Sequence, residues 1–220
     1  MKRLALSLDG AKEKTHDLIR GKGNYKQVIR AMKTMLRLRK DKEIKLDFTT
    51  VILKLNFKEL IDIYHLAKNM RVDQIFYQAL VPDNTFQNSD SNEELWINGK
   101  ELKELEKVIE KLVELKKRDD FISNSMEYLL NIPKYFALRE KFRPGICLAG
   151  YMNMNIDPYG RINVCGVYKP IEVRGKNLKL IWKSKSYKLL RKAIKKCRRP
   201  CLMLCYPKLG IRDVIKFLFK

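Results

Sequence analysis

A chain of 220 residues with 47 Lys and Arg against 25 Asp and Glu carries a formal charge of +22, and 45% of it is apolar. That is long enough for one or two globular domains with a proper core, while no apolar run approaches the ~20 residues that a bilayer span requires. The first apolar stretch, MKRLALSLDG, breaks at Asp9 and is no secretory signal, so the expectation is a cytoplasmic protein with reduced thiols and no membrane partner.

The charge is uneven. Residues 166–220 hold seventeen Lys and Arg against Glu172 and Asp213. Such a field attracts nucleic acid, anionic membrane or an acidic protein, or else only solvates the surface, as in thermophiles. No recognised nucleic-acid motif accompanies it.

In chain order, Leu4–Leu8 reads as a short strand that Asp9-Gly10 ends. A helix from about Asn24 places Tyr25, Val28, Met32 and Met35 or Leu36 on one face. Residues 44–53 form the next strand, rich in β-branched side chains. Asn56 is positioned to cap a helix with Leu60, Ile61, Tyr64 and Ala67 inward. A third strand covers 73–81 and stops at Pro82-Asp83-Asn84. Strand, helix, strand, helix, strand at this spacing means an α/β fold with a parallel sheet. Residues 83–100 read as a loop with a capping box at Ser91–Glu94. An amphipathic helix follows, on Leu102, Leu105, Ile109 and Leu112; residues 119–142 read as a helical connection broken at Pro133. His16 beside Asp17 and His65 on a solvated helix face both read as structural rather than catalytic.

The last third holds all five cysteines: Cys147, Cys165, Cys197, Cys201 and Cys205. Between the first two, YMNMNIDPYGRINVCGV reads as a hairpin turning at Asp157–Gly160, with Cys165 on the face opposite Ile162 and Val164. Ser186 is placed to cap a helix carrying Leu190, Ile194 and Cys197 on one face. Pro200 then leaves Cys201 and Cys205 in irregular chain. An odd cysteine count without a secretory signal argues against disulfides. Both later spacings are C-x3-C rather than the C-x2-C of zinc knuckles. An iron–sulfur cluster, zinc and inert thiols all remain open on these residues.

Cys147, then Gly160 and Cys165, followed by LKLIWKS and a downstream cysteine cluster, resembles the SPASM or "twitch" extension of radical SAM enzymes. The stretch SLDGAKEKTHDLIRGKGNY likewise resembles the fourth strand and following turn of the barrel in those enzymes. The resemblance implies a partial (half) radical SAM βα barrel of about three parallel strands over residues 1–143. A small α+β SPASM/twitch-like domain would follow over 144–220. It implies an auxiliary [4Fe-4S] cluster on Cys147 and Cys165, completed by two of Cys197, Cys201 and Cys205, since the chain has five cysteines where the full pattern has seven. It also makes Ser7 and Asp9 neighbours of S-adenosyl-L-methionine (SAM). The family's CxxxCxxC motif, whose three thiolates hold the SAM-cleaving cluster, is absent from the sequence.

Three functions therefore stand as expectations. The first is the C-terminal part of a radical SAM enzyme acting on a peptide, protein or small metabolite, inactive in SAM cleavage until a missing N-terminal half or partner chain is supplied. The second is a free-standing iron–sulfur electron-transfer or scaffold module for a partner enzyme. The third is a basic zinc or nucleic-acid-binding protein.

Overall fold

A computed structural model of the chain describes residues 3–39, 44–81, 94–142, 147–151, 154–165 and 168–203. The chain divides into two compact units, one of Met1–Leu80 with Asp90–Arg139, the other of Val81–Ser89 with Glu140–Lys220.

The first unit is α/β. Strands β1 (Arg3–Ser7), β2 (Lys45–Ile52) and β3 (Gln74–Ala79) form a parallel sheet in the order β1-β2-β3. Helices α1 (Glu13–Arg20) and α2 (Asn24–Leu38) lie between β1 and β2 in sequence, and α3 (Leu60–Asn69) lies between β2 and β3. Register sets Leu6 beside Phe48 and Phe48 beside Ile75. Because side chains alternate, one face carries the buried Leu46, Phe48, Thr50, Ile52, Ile75, Tyr77 and Ala79. The other face is more polar, with Ser7, Asp47, Thr49, Gln74 and Gln78 among its residues. Tyr77 shows which face the helix covers: its hydroxyl donates to Leu60 O in the first turn of α3, 2.8 Å away.

The far edge of β3 is closed without a full strand. Ile122 forms a parallel bridge with Ile75, and Ile75 exchanges backbone bonds with Phe121 and Ser123, each 2.9 Å. One step on, the Asn124 side chain replaces the backbone. Its Oδ1 accepts from Tyr77 N at 2.8 Å and its Nδ2 donates to Tyr77 O at 2.7 Å. These residues were expected to be helical; the helix begins only at α5 (Met126–Leu138), capped by Ser125. It also runs through Pro133 unbroken, held by the burial of Leu129, Ile132, Tyr135 and Phe136 around the missing donor. Helix α4 (Lys100–Arg118) packs with α5, burying Leu105, Ile109 and Leu112 as the periodicity required. Trp96 and Ile97, read as loop, belong to this core, and Trp96 Nε1 donates to Phe136 O. The capping box at Ser91 lies outside the described residues.

Three further expectations change. Helix α1 had no place in the sequence reading, since His16 is its one buried residue. Asn56 caps nothing, because both ends of its amide are used inward, as described below. In α3 the buried set is Leu60, Ile63, Tyr64 and Ala67, so Ile63 takes the place given to Ile61.

The second unit is small. Asp157 closes the expected turn: Oδ1 accepts from Tyr159 N and Arg161 N at 2.9 and 3.0 Å, and Oδ2 pairs with Arg161. Gly160 adopts φ +74°, where a side chain would be strained. Ile156 bridges antiparallel to Ile162, and β4 (Arg161–Ile162) pairs antiparallel with β5 (Ile171–Glu172). Helix α6 (Leu178–Lys183) was not foreseen. Ser184 ends it and caps α7 (Lys185–Lys195) by accepting from Tyr187 N, so Ser186 lies inside the helix it was expected to start. Ala149, Ile162, Val164, Val173, Tyr187 and Ile194 make the core.

Candidate metal centre and the closed end of the sheet

At the carboxyl end of β1, Asp9 is fully buried. Its Oδ1 accepts from Val51 N at 2.7 Å and its Oδ2 pairs with Arg20 of α1. Its backbone N–H donates to His16 Nδ1 at 3.0 Å. Nδ1 is thus an acceptor, which puts the ring proton on Nε2, where it is donated to Asn24 Oδ1 at 2.9 Å. Asp17 accepts from Gly23 N and Tyr25 N, at 2.6 and 2.8 Å, at the start of α2. Those bonds lower its pKa, that from Tyr25 first, against burial. Asn56 donates to Asp9 O and Val51 O and accepts from Leu53 N. Gly10 is required for a different reason: a Cβ there would lie 2.5 Å from His16 N.

The Asp-Gly, His-Asp and Arg-Gly pairs of this stretch thus close on one another and bind the end of β1 to β2, α1 and α2. Asp9 spends its carboxylate inside that network. Ser7 is half-buried on the polar face, in register with Thr49. Neither His16 nor Asp9 has an open polar atom directed at solvent chemistry, in keeping with a structural reading of the histidine; His65 is exposed.

In the second unit, Cys147, Cys165, Cys197 and Cys201 are each partly buried, and no disulfide joins them. Cys205 lies outside the described residues. Cys197 follows the last turn of α7, its N–H bonded to Ile194 O at 3.0 Å. Residues 200–203 are irregular, as Pro200 required. Cys165 opens a turn in which its carbonyl accepts from Tyr168 N at 3.1 Å. The Tyr168 hydroxyl reaches back to α7, donating to Ala193 O at 3.0 Å. Tyr168 and Cys147 pack against the same core. Burial raises the Tyr168 phenol above its ordinary pKa, and the thiols of Cys197, Cys165 and Cys147 around it raise it further. Three cysteines far apart in sequence therefore act on one phenol.

Arg191 fixes the loop that bears Cys147. Its guanidinium lies 4.0 Å over the Trp182 ring and 4.6 Å over Tyr187. Its Nε donates to Gly150 O at 2.7 Å and its Nη1 to Trp182 O at 3.2 Å. Burial pulls its pKa below the ordinary value, against the two tyrosines Tyr187 and Tyr151. Tyr168 and Arg191 had gone unnoticed in the sequence. Their positions, three residues after Cys165 and four after Tyr187, were the available signals.

As they stand among the described residues, no three Cys, His, Asp or Glu side chains are arranged to hold a metal ion. The three thiols that act on the Tyr168 phenol come from separate segments and are of the donor type that holds an iron–sulfur cluster. A groove of about 590 Å³ lies elsewhere, along α2, lined by Tyr25, Lys26, Ile29, Arg30, Lys33, Thr34 and Arg37, with none of the expected site residues.

No protein-family model matches the chain, and no curated protein does. Among solved structures, the chain is similar to native anSMEcpe with bound AdoMet and Kp18Cys peptide. The two are 13% identical with a TM-score of 0.54, over 99% of this chain and 67% of that one. The fold is shared with an AdoMet-binding protein. At that identity the likeness is one of backbone architecture alone. Among the described residues no helix is long and apolar enough to cross a membrane.

Proposed function

We propose that the chain supplies the latter strands and the auxiliary-cluster region of a radical SAM enzyme of the SPASM/twitch type. The observation that carries this reading is the likeness in fold to the AdoMet-bound structure over 99% of the chain, on a sequence that places every cysteine after the sheet. Cys147, Cys165 and Cys197 would hold a [4Fe-4S] cluster, with Cys201 or Cys205 as the fourth ligand. When bound, such a cluster supplies a one-electron relay or a substrate anchor beside the reacting centre. Arg191 orients the Cys147 loop, and the polar face of the sheet, with Ser7 and Thr49 at its carboxyl end, would face SAM. The Asp9 network would hold that end rigid. The CxxxCxxC set would come from a preceding segment or a partner chain, and the substrate would be a peptide, protein or small metabolite.

Anaerobic reconstitution with iron and sulfide tests the reading. A broad visible absorbance shoulder and stoichiometric iron are expected, and Cys147→Ala and Cys165→Ala should each lose most of the iron. A single loss among Cys197, Cys201 and Cys205 leaves two and should cost less in one of the three variants. Full iron in both Cys147→Ala and Cys165→Ala, or stoichiometric zinc without absorbance, would overturn it. The lack of CxxxCxxC in the sequence favours one second reading, an iron–sulfur module that serves a separate enzyme. Testing upstream or partner sequence for that motif separates the two.

A further inference from the structure

From Arg174 to Arg199 the chain carries twelve Lys and Arg and no Asp or Glu. Helix α4 of the other unit differs: Glu101, Glu104, Glu106, Glu110 and Glu114 are interspersed among its cations. In α7, Lys185, Lys188, Lys192 and Lys195 recur at three and four, about one per turn. All four are exposed and lie away from the face that buries Tyr187 and Ile194. Tyr187 and Ile194 commit one face of α7 to the core, while Leu189 is exposed beside the lysines. The helix aromatics are occupied too, Tyr187 and Trp182 being stacked with Arg191.

We propose that this face of α7 binds the phosphate backbone of a nucleic acid, without regard to base sequence. Three features select that partner. A field of one sign over 26 residues suits a polymer of fixed opposite charge, which gains by releasing counterions. Lysine dominates the face, whereas protein–protein interfaces are depleted in lysine and enriched in aromatic residues and arginine. Nucleic-acid interfaces are by contrast strongly positive and rich in phosphate contacts. With no exposed aromatic on the stripe, contact is limited to the backbone rather than to stacked bases. This inference does not rest on the radical SAM reading and stands or falls separately from it.

The test compares two variants of the full chain with equal net charge. One carries Lys185→Gln, Lys188→Gln, Lys192→Gln and Lys195→Gln; the other carries Lys103→Gln, Lys107→Gln, Lys111→Gln and Lys117→Gln on α4. Binding of two fluorescein-labelled RNA duplexes of unrelated sequence is followed by anisotropy over a salt series. The wild type should bind both duplexes alike. The α7 variant should lose at least about tenfold, and its log K against log salt slope should fall by roughly 2 to 4. The α4 variant should stay within about threefold of wild type. Circular dichroism checks that both variants fold, and the Lys188→Gln, Lys192→Gln pair serves if the larger set does not. Failure of wild type to bind at about 0.1 M salt, equal losses in both variants, displacement by polyglutamate as effective as by unlabelled RNA, or tighter binding to phosphatidylglycerol vesicles would each overturn the proposal.

Discussion

A single carboxylate illustrates how burial decides what a residue can do. Asp9 and Asp47 are both buried, at 0% and 3% exposure, yet they differ in what surrounds them. Asp9 has its two oxygens on Val51 N and Arg20. Asp9→Ala should cost about 2–4 kcal/mol in urea unfolding, since it strands a buried N–H and half-buried Arg20. Gly10→Ala should cost about 1–3 kcal/mol through the clash with His16 N. An unchanged unfolding midpoint in both would show that this network is not the structural tie it looks to be. Asp47 has Arg3 Nε 2.9 Å from its Oδ2, but off line, and neither oxygen accepts an aligned hydrogen bond. Burial therefore raises its pKa, while Arg3 opposes and Asp73 adds to the rise. A carboxyl group with a raised folded pKa binds protons more tightly when folded. Its contribution is full below about pH 3.9, the ordinary value for Asp, and is lost as pH climbs through the raised value. Asp47→Asn should match wild type in stability near pH 3 and exceed it at pH 7. Equal midpoints across that range would contradict the assignment.

At the scale of elements, the sheet was legible and its boundaries were not. Leu4–Leu8 by its short apolar run before Asp9-Gly10, 44–53 by its β-branched residues and 73–81 by its stop at Pro82 announced themselves, and they became β1, β2 and β3 in parallel order. Helix α1 was hidden because it buries one polar side chain and no apolar stripe. Pro133 misled because burial outweighs one lost bond. Asn56, read as a cap, and Asn124, inside a stretch read as helical, share one reason for their actual roles. An Asn after a strand or before a helix looks like a cap, but a buried amide has both a donor and an acceptor to satisfy and can stand in for a strand's backbone. For the candidate site, the Asp157–Gly160 turn was legible, while Tyr168 and Arg191 left only their spacing from Cys165 and Tyr187 as a signal, since they act through tertiary contacts. Asn124→Ala should cost about 2–4 kcal/mol, because it leaves Tyr77 N–H and C=O buried without partners. Denaturant melts read this directly, and a loss below about 0.5 kcal/mol would mean that β3 ends are solvated instead.

At the scale of the whole molecule, the described sheet ends at β1, whose outer edge pairs with no strand among the described residues. An edge of this kind offers unpaired N–H and C=O groups to any strand that fits. In the proposed enzyme that strand belongs to the part that carries CxxxCxxC. The two deficits should therefore be repaired together. Alone and reconstituted, the chain should release no 5′-deoxyadenosine from SAM above the protein-free rate on reduction with dithionite. Four thiolates on one cluster leave no iron open to the amino and carboxylate groups of SAM, and the sequence holds no second set of three cysteines. The chain alone should also self-associate as concentration rises, measured by light scattering. Co-expression with a segment that carries CxxxCxxC should restore both a single assembly and SAM cleavage. Turnover by the isolated chain would mean that its own cysteines hold the SAM-cleaving cluster, and the proposed division of labour between the two parts would be wrong.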